Sequence, residues 1–198
     1  MIKKLLVTAA TMTMLASSVT PSLAMGPAGM GMPLKNQFTY IQVAQPTLAP
    51  FGFVSYCVKN QDDCKPTEGP RSVEWSHAKM RELRKINYQI NQAIQPINDD
   101  DGNDTWQANV SKGDCEDFVL TKRKELISRG WPAAALHIAV AYTPDNQGHA
   151  VLIVRTSNGD LVLDNRTNAI NPWNNTDLKW VMIQSSENPL FWNQIHLG

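Results

Sequence analysis

Val73, Met80, Leu83, Ile86, Ile90, Ile94 and Ile97 recur at steps of seven, three, three, four, four and three. This spacing puts them on one face and predicts an amphipathic helix over 72–95. Ser72 is its expected N-cap and Pro96 its stop. A second helix is predicted over 115–129, closed by Gly130 and kept from continuing by Trp131-Pro132. Beyond it the period falls to two. Leu136, Ile138, Val140 and Tyr142 alternate with His137, Ala139 and Ala141. Residues 149–156, 161–163 and 180–184 read as further strands, with Asn158-Gly159 as a hairpin signal. Residues 51–56 read as a short extended run. Helices followed by antiparallel strands make an α+β fold rather than a parallel doubly wound sheet.

The N-terminus adds a compartment. Lys3 and Lys4 precede an apolar stretch over 5–15, Pro21 breaks any helix, and Ser22-Leu23-Ala24 has the small–x–small form of a cleavage site. Residues 1–24 therefore read as a secretory signal peptide. The stretch is shorter than the roughly 20 residues a membrane span needs, and no later segment is apolar enough to span. Residues 25–47, rich in Gly, Pro, Met and Gln, read as a flexible mature N-terminus, and residues 48–198 as one domain. Export implies an oxidising compartment. There Cys57 and Cys64, seven apart around a polar loop, fit a disulfide, which leaves Cys115 alone among three cysteines. The 18 basic and 18 acidic residues balance, which argues against a nucleic-acid partner.

Gly113-Asp114-Cys115-Glu116-Asp117-Phe118 carries the chemistry. Asp114 is the expected N-cap, with Asp117 at the capping-box position. Cys115 then sits at the first helical position, where unpaired N–H groups and the helix dipole favour a thiolate nucleophile. Three neighbouring carboxylates oppose that by like charge. Either they turn away from the sulfur, or a cation neutralises them. Hard oxygens suit Ca2+; residues 99–104 fail the EF-hand template and read as a solvated turn, with that loop an optional contributor to the ion's shell. Of four histidines, His77 reads as a surface residue, His196 as terminal and His137 as a core candidate. His149, after Gln147-Gly148 and at the mouth of an apolar strand, is the candidate base. Asp164, closing Leu161-Val162-Leu163, is the candidate orienting group. A two-residue Asn158-Gly159 turn would pair Ile153 with Asp164. His149 would then lie four positions, roughly 13 Å, along the strand. A hydrogen bond between them requires a longer loop, centred nearer Thr156-Ser157, or a bulge.

Gly-Asp-Cys115-Glu-Asp-Phe, Gly-His149-Ala-Val-Leu and Leu-Val-Leu-Asp164-Asn, in that order, resemble the bacterial transglutaminase-like cysteine proteinases, the family that includes the LapG-type periplasmic proteases. Trp106 and the 51–64 region share in the likeness. The resemblance implies a papain-like or transglutaminase-like α+β fold with the nucleophile helix packed on an antiparallel sheet. It implies Cys115 as nucleophile, His149 as general base and Asp164 as its orienting partner. It further implies Ca2+ held by acidic residues that read here as Asp114 and Glu116, an exported or surface protein as substrate, and a regulatory membrane protein as partner. The expected activity is a cysteine endopeptidase acting through a thioester acyl-enzyme. The Cys115 backbone N–H and one further donor, for which Trp106 is a candidate, would hold the oxyanion. Two other outcomes stay open: amide transfer by the same three residues, and a non-catalytic, calcium-stabilised binding module.

Overall fold

The computed structural model describes residues 39–99 and 104–196. The segment read as a signal peptide, most of the flexible stretch after it and part of the 99–104 loop lie outside the described residues. In chain order come β1 (Val43–Thr47), α1 (Phe51–Lys59), a 3-10 turn (Gln61–Cys64), α2 (His77–Ala93), β2 (Gln95–Pro96), β3 (Lys112–Gly113) and α3 (Cys115–Ser128). There follow β4 (Leu136–Tyr142), β5 (Gly148–Thr156), β6 (Gly159–Leu163), β7 (Asn171–Pro172), β8 (Lys179–Gln184) and β9 (Trp192–Ile195). Seven strands form one antiparallel sheet in the order β1-β9-β8-β4-β5-β6-β7, and β2 and β3 make a short parallel pair. The α+β expectation holds.

The middle of the sheet is apolar on both faces because it is covered on both. Ile138, Leu152, Val154 and Leu163 pack with Phe53, Leu83, Ile86, Phe118 and Leu126 of the helices. Ala139, Ala141, Val151, Ile153 and Val162, the alternate positions, pack with Trp173, Trp180 and Ile183 on the other side. Burial of this kind contributes about 25 cal/mol per Å2 of apolar surface and is the main force holding α3 to the sheet.

Four local expectations are corrected. Residues 51–56 are helical. Gly52, Phe53, Tyr56 and Cys57 are the buried face of α1, while Phe51, Val54 and Val58 are exposed. Apolar residues on both faces, with Gly52 and Ser55 between them, imitate an extended run. The first long helix begins at His77 with Ser76 as its cap, whose Oγ accepts from the Lys79 N–H at 3.1 Å. Val73 is drawn out of the helix into a bridge with Thr156. The domain begins before residue 48: β1 lies within the stretch read as flexible, and pairs with β9. Ile41 is buried, its N–H donating to Asp160 Oδ2 at 2.8 Å. Finally, Asn158-Gly159 is not the centre of the hairpin turn. Thr156 pairs with Gly159 across Ser157-Asn158. Gly159 has φ +121°, a conformation that L side chains resist. The Thr156 hydroxyl accepts from the Asn158 N–H and donates to the Gly159 carbonyl.

Cys57 and Cys64 form a disulfide that ties the end of α1 to the following 3-10 turn. Closing so short a loop removes modest denatured-chain entropy, so Cys57→Ser/Cys64→Ser is expected to cost about 2–3 kcal/mol. Denaturant titration of the two proteins under non-reducing conditions checks this.

Candidate active site

α3 opens at the centre of the site. Asp114 stands at the N-cap, but its side chain makes no capping hydrogen bond, contrary to the sequence expectation. The reciprocal half of the box is present: Asp117 accepts from the Asp114 backbone N–H, and also from the Gln107 N–H at 2.7 Å. Gly113 is needed here, because a Cβ at that position would collide with the Asp117 carboxylate. The Cys115 Sγ accepts from the Ala150 N–H at 3.3 Å, and its thiol donates to Glu116 Oε2 at 3.2 Å. The first turn of α3 is thereby joined to the start of β5, beside His149.

The hairpin joins the other two residues. Leu152 pairs with Leu163, so Asp164 continues past the strand end opposite Val151, two positions from His149. That diagonal offset is bridged by the side chains. His149 Nε2 and Asp164 Oδ1 are 2.8 Å apart, both groups buried. Neither the expected longer loop nor a bulge is needed; a two-residue turn one residue earlier than Asn158-Gly159 suffices. Asp164 Oδ1 also accepts from the Arg166 N–H at 2.9 Å, and Oδ2 from Arg166 Nε at 3.0 Å. Arg166 reaches onward to Asp177 Oδ1 at 2.7 Å. The sequence pattern pointed to neither Arg166 nor Asp177. Their signal, a basic residue two after the strand-end Asp and an acid eleven further on, is visible only once the turn is folded.

A cleft of about 590 Å3 opens over these groups, lined by Cys115, His149, Trp106, Asp114, Glu116 and Arg166 among others. Trp106 is held edge-on to Phe53, and its indole N–H donates to Asp104 Oδ1 at 2.9 Å. That donor is engaged, so the candidacy of Trp106 as an oxyanion donor is withdrawn; it is a cleft wall. Of the remaining histidines, His77 is exposed. His137 is buried, and burial pushes its pKa down to about 3, so it is a neutral core imidazole. The His196 N–H donates to the Gln42 carbonyl.

The electrostatics of the site are sharply uneven. Burial, followed by the Glu116 and Asp114 charges, drives the Cys115 thiol well above its ordinary range, although the Ala150 N–H pulls the other way. Burial and Asp114 raise Glu116 to about 9, and burial raises Asp117 to about 6. Burial also opposes the Asp164 charge, but His149 and Arg166 overcome it and hold Asp164 at about 2. The acidic groups therefore divide into a compensated carboxylate at Asp164 and an uncompensated cluster at the head of α3. In that cluster Asp99, Asp114 and Glu116 each offer an oxygen, all within 4.8 Å of one another. Asp114 Oδ1 is buried without a hydrogen-bond partner. An orphaned acceptor beside carboxylates that cannot all ionise is a donor set suited to a hard cation such as Ca2+. Asp99, from the loop expected as an optional contributor, joins the expected pair Asp114 and Glu116.

One buried charge stands apart. Lys122, two turns along α3 from Cys115, is fully buried, and its Nζ has no hydrogen-bond partner among the described residues. Burial lowers its pKa to about 7 against the pull of Asp164. A base whose folded pKa lies below its unfolded value of about 10.4 costs stability most at low pH, and the cost fades as pH rises from about 7 to 10. Lys122→Met is therefore expected to gain on the order of 1–3 kcal/mol at pH 6 and little at pH 10, as thermal unfolding at the two pH values will show.

The family model described as bacterial transglutaminase-like cysteine proteinase BTLCP matches residues 43–198. Among solved structures, calcium-bound LapG from Legionella pneumophila is similar with a TM-score of 0.52 and 29% identity, over 58% of this chain and 68% of that one. LapG from the same organism aligns with a TM-score of 0.51 and 30% identity, over 58% and 66%. The EGTA-treated form aligns with a TM-score of 0.52 and 29% identity, over 60% and 69%. No curated protein matches the chain.

Proposed function

Because this chain belongs to the bacterial transglutaminase-like cysteine proteinases, and is a cysteine peptidase of transglutaminase-like type, we propose that Cys115, His149 and Asp164 are its catalytic residues. The observation that carries this reading is the buried 2.8 Å contact between His149 Nε2 and Asp164 Oδ1, on the strand whose Ala150 N–H touches the Cys115 sulfur. With Nε2 committed to Asp164, Nδ1 is the nitrogen left to take the thiol proton. The sulfur attacks a peptide carbonyl, the amine leaves with the proton that His149 returns, and a thioester forms. His149 then draws a proton from water, which hydrolyses the thioester and frees the acid. The Cys115 backbone N–H, at the first position of α3, would hold the developing oxyanion.

Asp99, Asp114 and Glu116 would hold Ca2+. When bound, that ion supplies positive charge where carboxylates otherwise oppose the thiolate. A family of proteinases implies a protein substrate. The signal-like residues 1–24 support export, and hence a periplasmic or cell-surface substrate. By likeness to LapG-type proteases, a membrane protein would regulate access to it. Among the described residues no helix is long and apolar enough to cross a membrane.

The test incubates the calcium-supplemented protein with exported proteins of its own cell and labels new N-termini. New ends are expected with the native protein and none with Cys115→Ala. Equal cleavage by the two proteins would overturn the proposal.

A further inference from the structure

We propose that Arg166, anchored by Asp177, is a positioning residue that locks the Asp164 carboxylate in the orientation presenting Oδ1 to His149. This rests on the reading of Cys115, His149 and Asp164 given above.

Asp164 lies one residue beyond the last residue of β6, so no ladder pairing fixes it. Its main chain is held from α2, where the Asn91 side-chain amide donates to the Asp164 carbonyl at 3.1 Å. The carboxylate itself is held by Arg166. Oδ2 accepts from Nε and lies 3.0 Å from Nη2, while Oδ1 accepts from the Arg166 main-chain N–H at 2.9 Å. Oδ1 has one direction left, and His149 Nε2 occupies it at 2.8 Å. Turning the carboxylate about its Cβ–Cγ bond would break all of these contacts together.

The far side of the guanidinium is also engaged. Nη2 donates to Asp177 Oδ1 at 2.7 Å and Nη1 lies 3.4 Å from Oδ2. Asp177 directly precedes the buried Leu178 on the approach to β8. Arg166 therefore spans from the segment just after β6 to the chain entering β8, which makes the Asp164 orientation a property of the sheet rather than of one turn. Only a planar fork with donors on two edges can serve both carboxylates, and a lysine cannot. The charged groups facing Asp164 are His149 from β5, Lys122 from α3 and Arg166 from its own loop. Asn91, the α2 group bonded to it, is uncharged.

The experiment uses the full chain and reads two signals that need no substrate. One is the downfield proton resonance of the His149 Nε2–H bonded to Asp164. The other is the rate of iodoacetamide reaction with Cys115, the single cysteine outside the disulfide. In Arg166→Met the resonance should vanish and alkylation at pH 7 should slow by about tenfold, the usual scale for losing an outer partner of a site group. Asp177→Asn, which touches the site only through Arg166, should weaken both signals less, and should add nothing in the Arg166→Met background. Arg166→Lys should restore the alkylation rate only in part. Native-like resonance and rate in Arg166→Met, or an undiminished Asp177→Asn effect in the double variant, would overturn the proposal. If Arg166→Met does not fold, the half-exposed Asp177→Asn decides alone: native values in it overturn the positioning role. Failure of peptide cleavage with both signals behaving as expected would count against the proposed activity and not against this tether.

Discussion

His149→Ala is expected to lower peptide cleavage by at least about 10^3-fold while leaving the fold intact, the scale seen when one member of a nucleophile–base–orienter set is removed. The size follows from where Cys115 sits. Its thiol lies in a place that resists ionisation, through burial first, with Glu116 adding to it wherever that carboxylate is ionised. The helix dipole and a single Ala150 N–H do not offset that. In the proposed mechanism the imidazole takes the proton, and Asp164, held at about 2, would stay ionised to stabilise the imidazolium throughout the working range. Removing the ring also leaves Asp164 bonded to Arg166 and facing Lys122, so the carboxylate keeps its charge and the loss is confined to proton transfer. Comparing initial cleavage rates of native and variant protein, with circular dichroism as the folding control, measures it. A loss smaller than tenfold would remove His149 from the mechanism.

Chelating divalent cations is expected to slow iodoacetamide reaction at Cys115 by at least about tenfold at pH 7, with full recovery on adding Ca2+. An opposite charge within a few ångströms moves a pKa by about 1–3 units, which is a tenfold or larger change in thiolate. Glu116, raised to about 9, is protonated at neutral pH without the ion. Binding must therefore displace its proton, so calcium should bind more tightly as pH rises toward 9, releasing about one proton per ion. Glu116→Gln imitates the protonated carboxyl permanently and should leave Cys115 slow whether or not calcium is present. Calorimetry in buffers of different ionisation enthalpy counts the protons. Alkylation indifferent to both chelator and Glu116→Gln would separate the acidic cluster from thiol activation.

Much of this was legible because it rests on local chemistry. The strands β4, β5 and β6 announce themselves by period, and the turn to α3 by a glycine and two acids around a cysteine. What was not legible depends on partners distant in sequence. Val73 leaves the α2 stripe because Thr156 claims it, 83 residues on. β1 looks like a linker because its side chains are mostly exposed and its reason to be extended is β9, at the other end of the chain. α1 defeats periodicity because its outer face carries Phe51, Val54 and Val58. At the site, Cys115, His149 and Asp164 were distinguishable by residue type and setting. Arg166 and Asp177 look like ordinary surface charges until the chain between β6 and β8 folds them together, and Asp99 is only an optional contributor until the head of α3 brings it to Asp114 and Glu116.

The two-residue connection at Ser157-Asn158 has a consequence for how this chain can vary. Side chains on a strand alternate faces, so adding one residue there while the turn stays two residues long would shift the register by one and turn β6 over. Val162 would trade its layer with Leu161 and Leu163, and Asp164 would point away from the imidazole. Two added residues would preserve the sidedness and merely lengthen the span. Loop length between His149 and Asp164 is therefore quantised: relatives or engineered forms that remain active should differ there by even numbers, and odd ones should appear only with a compensating bulge.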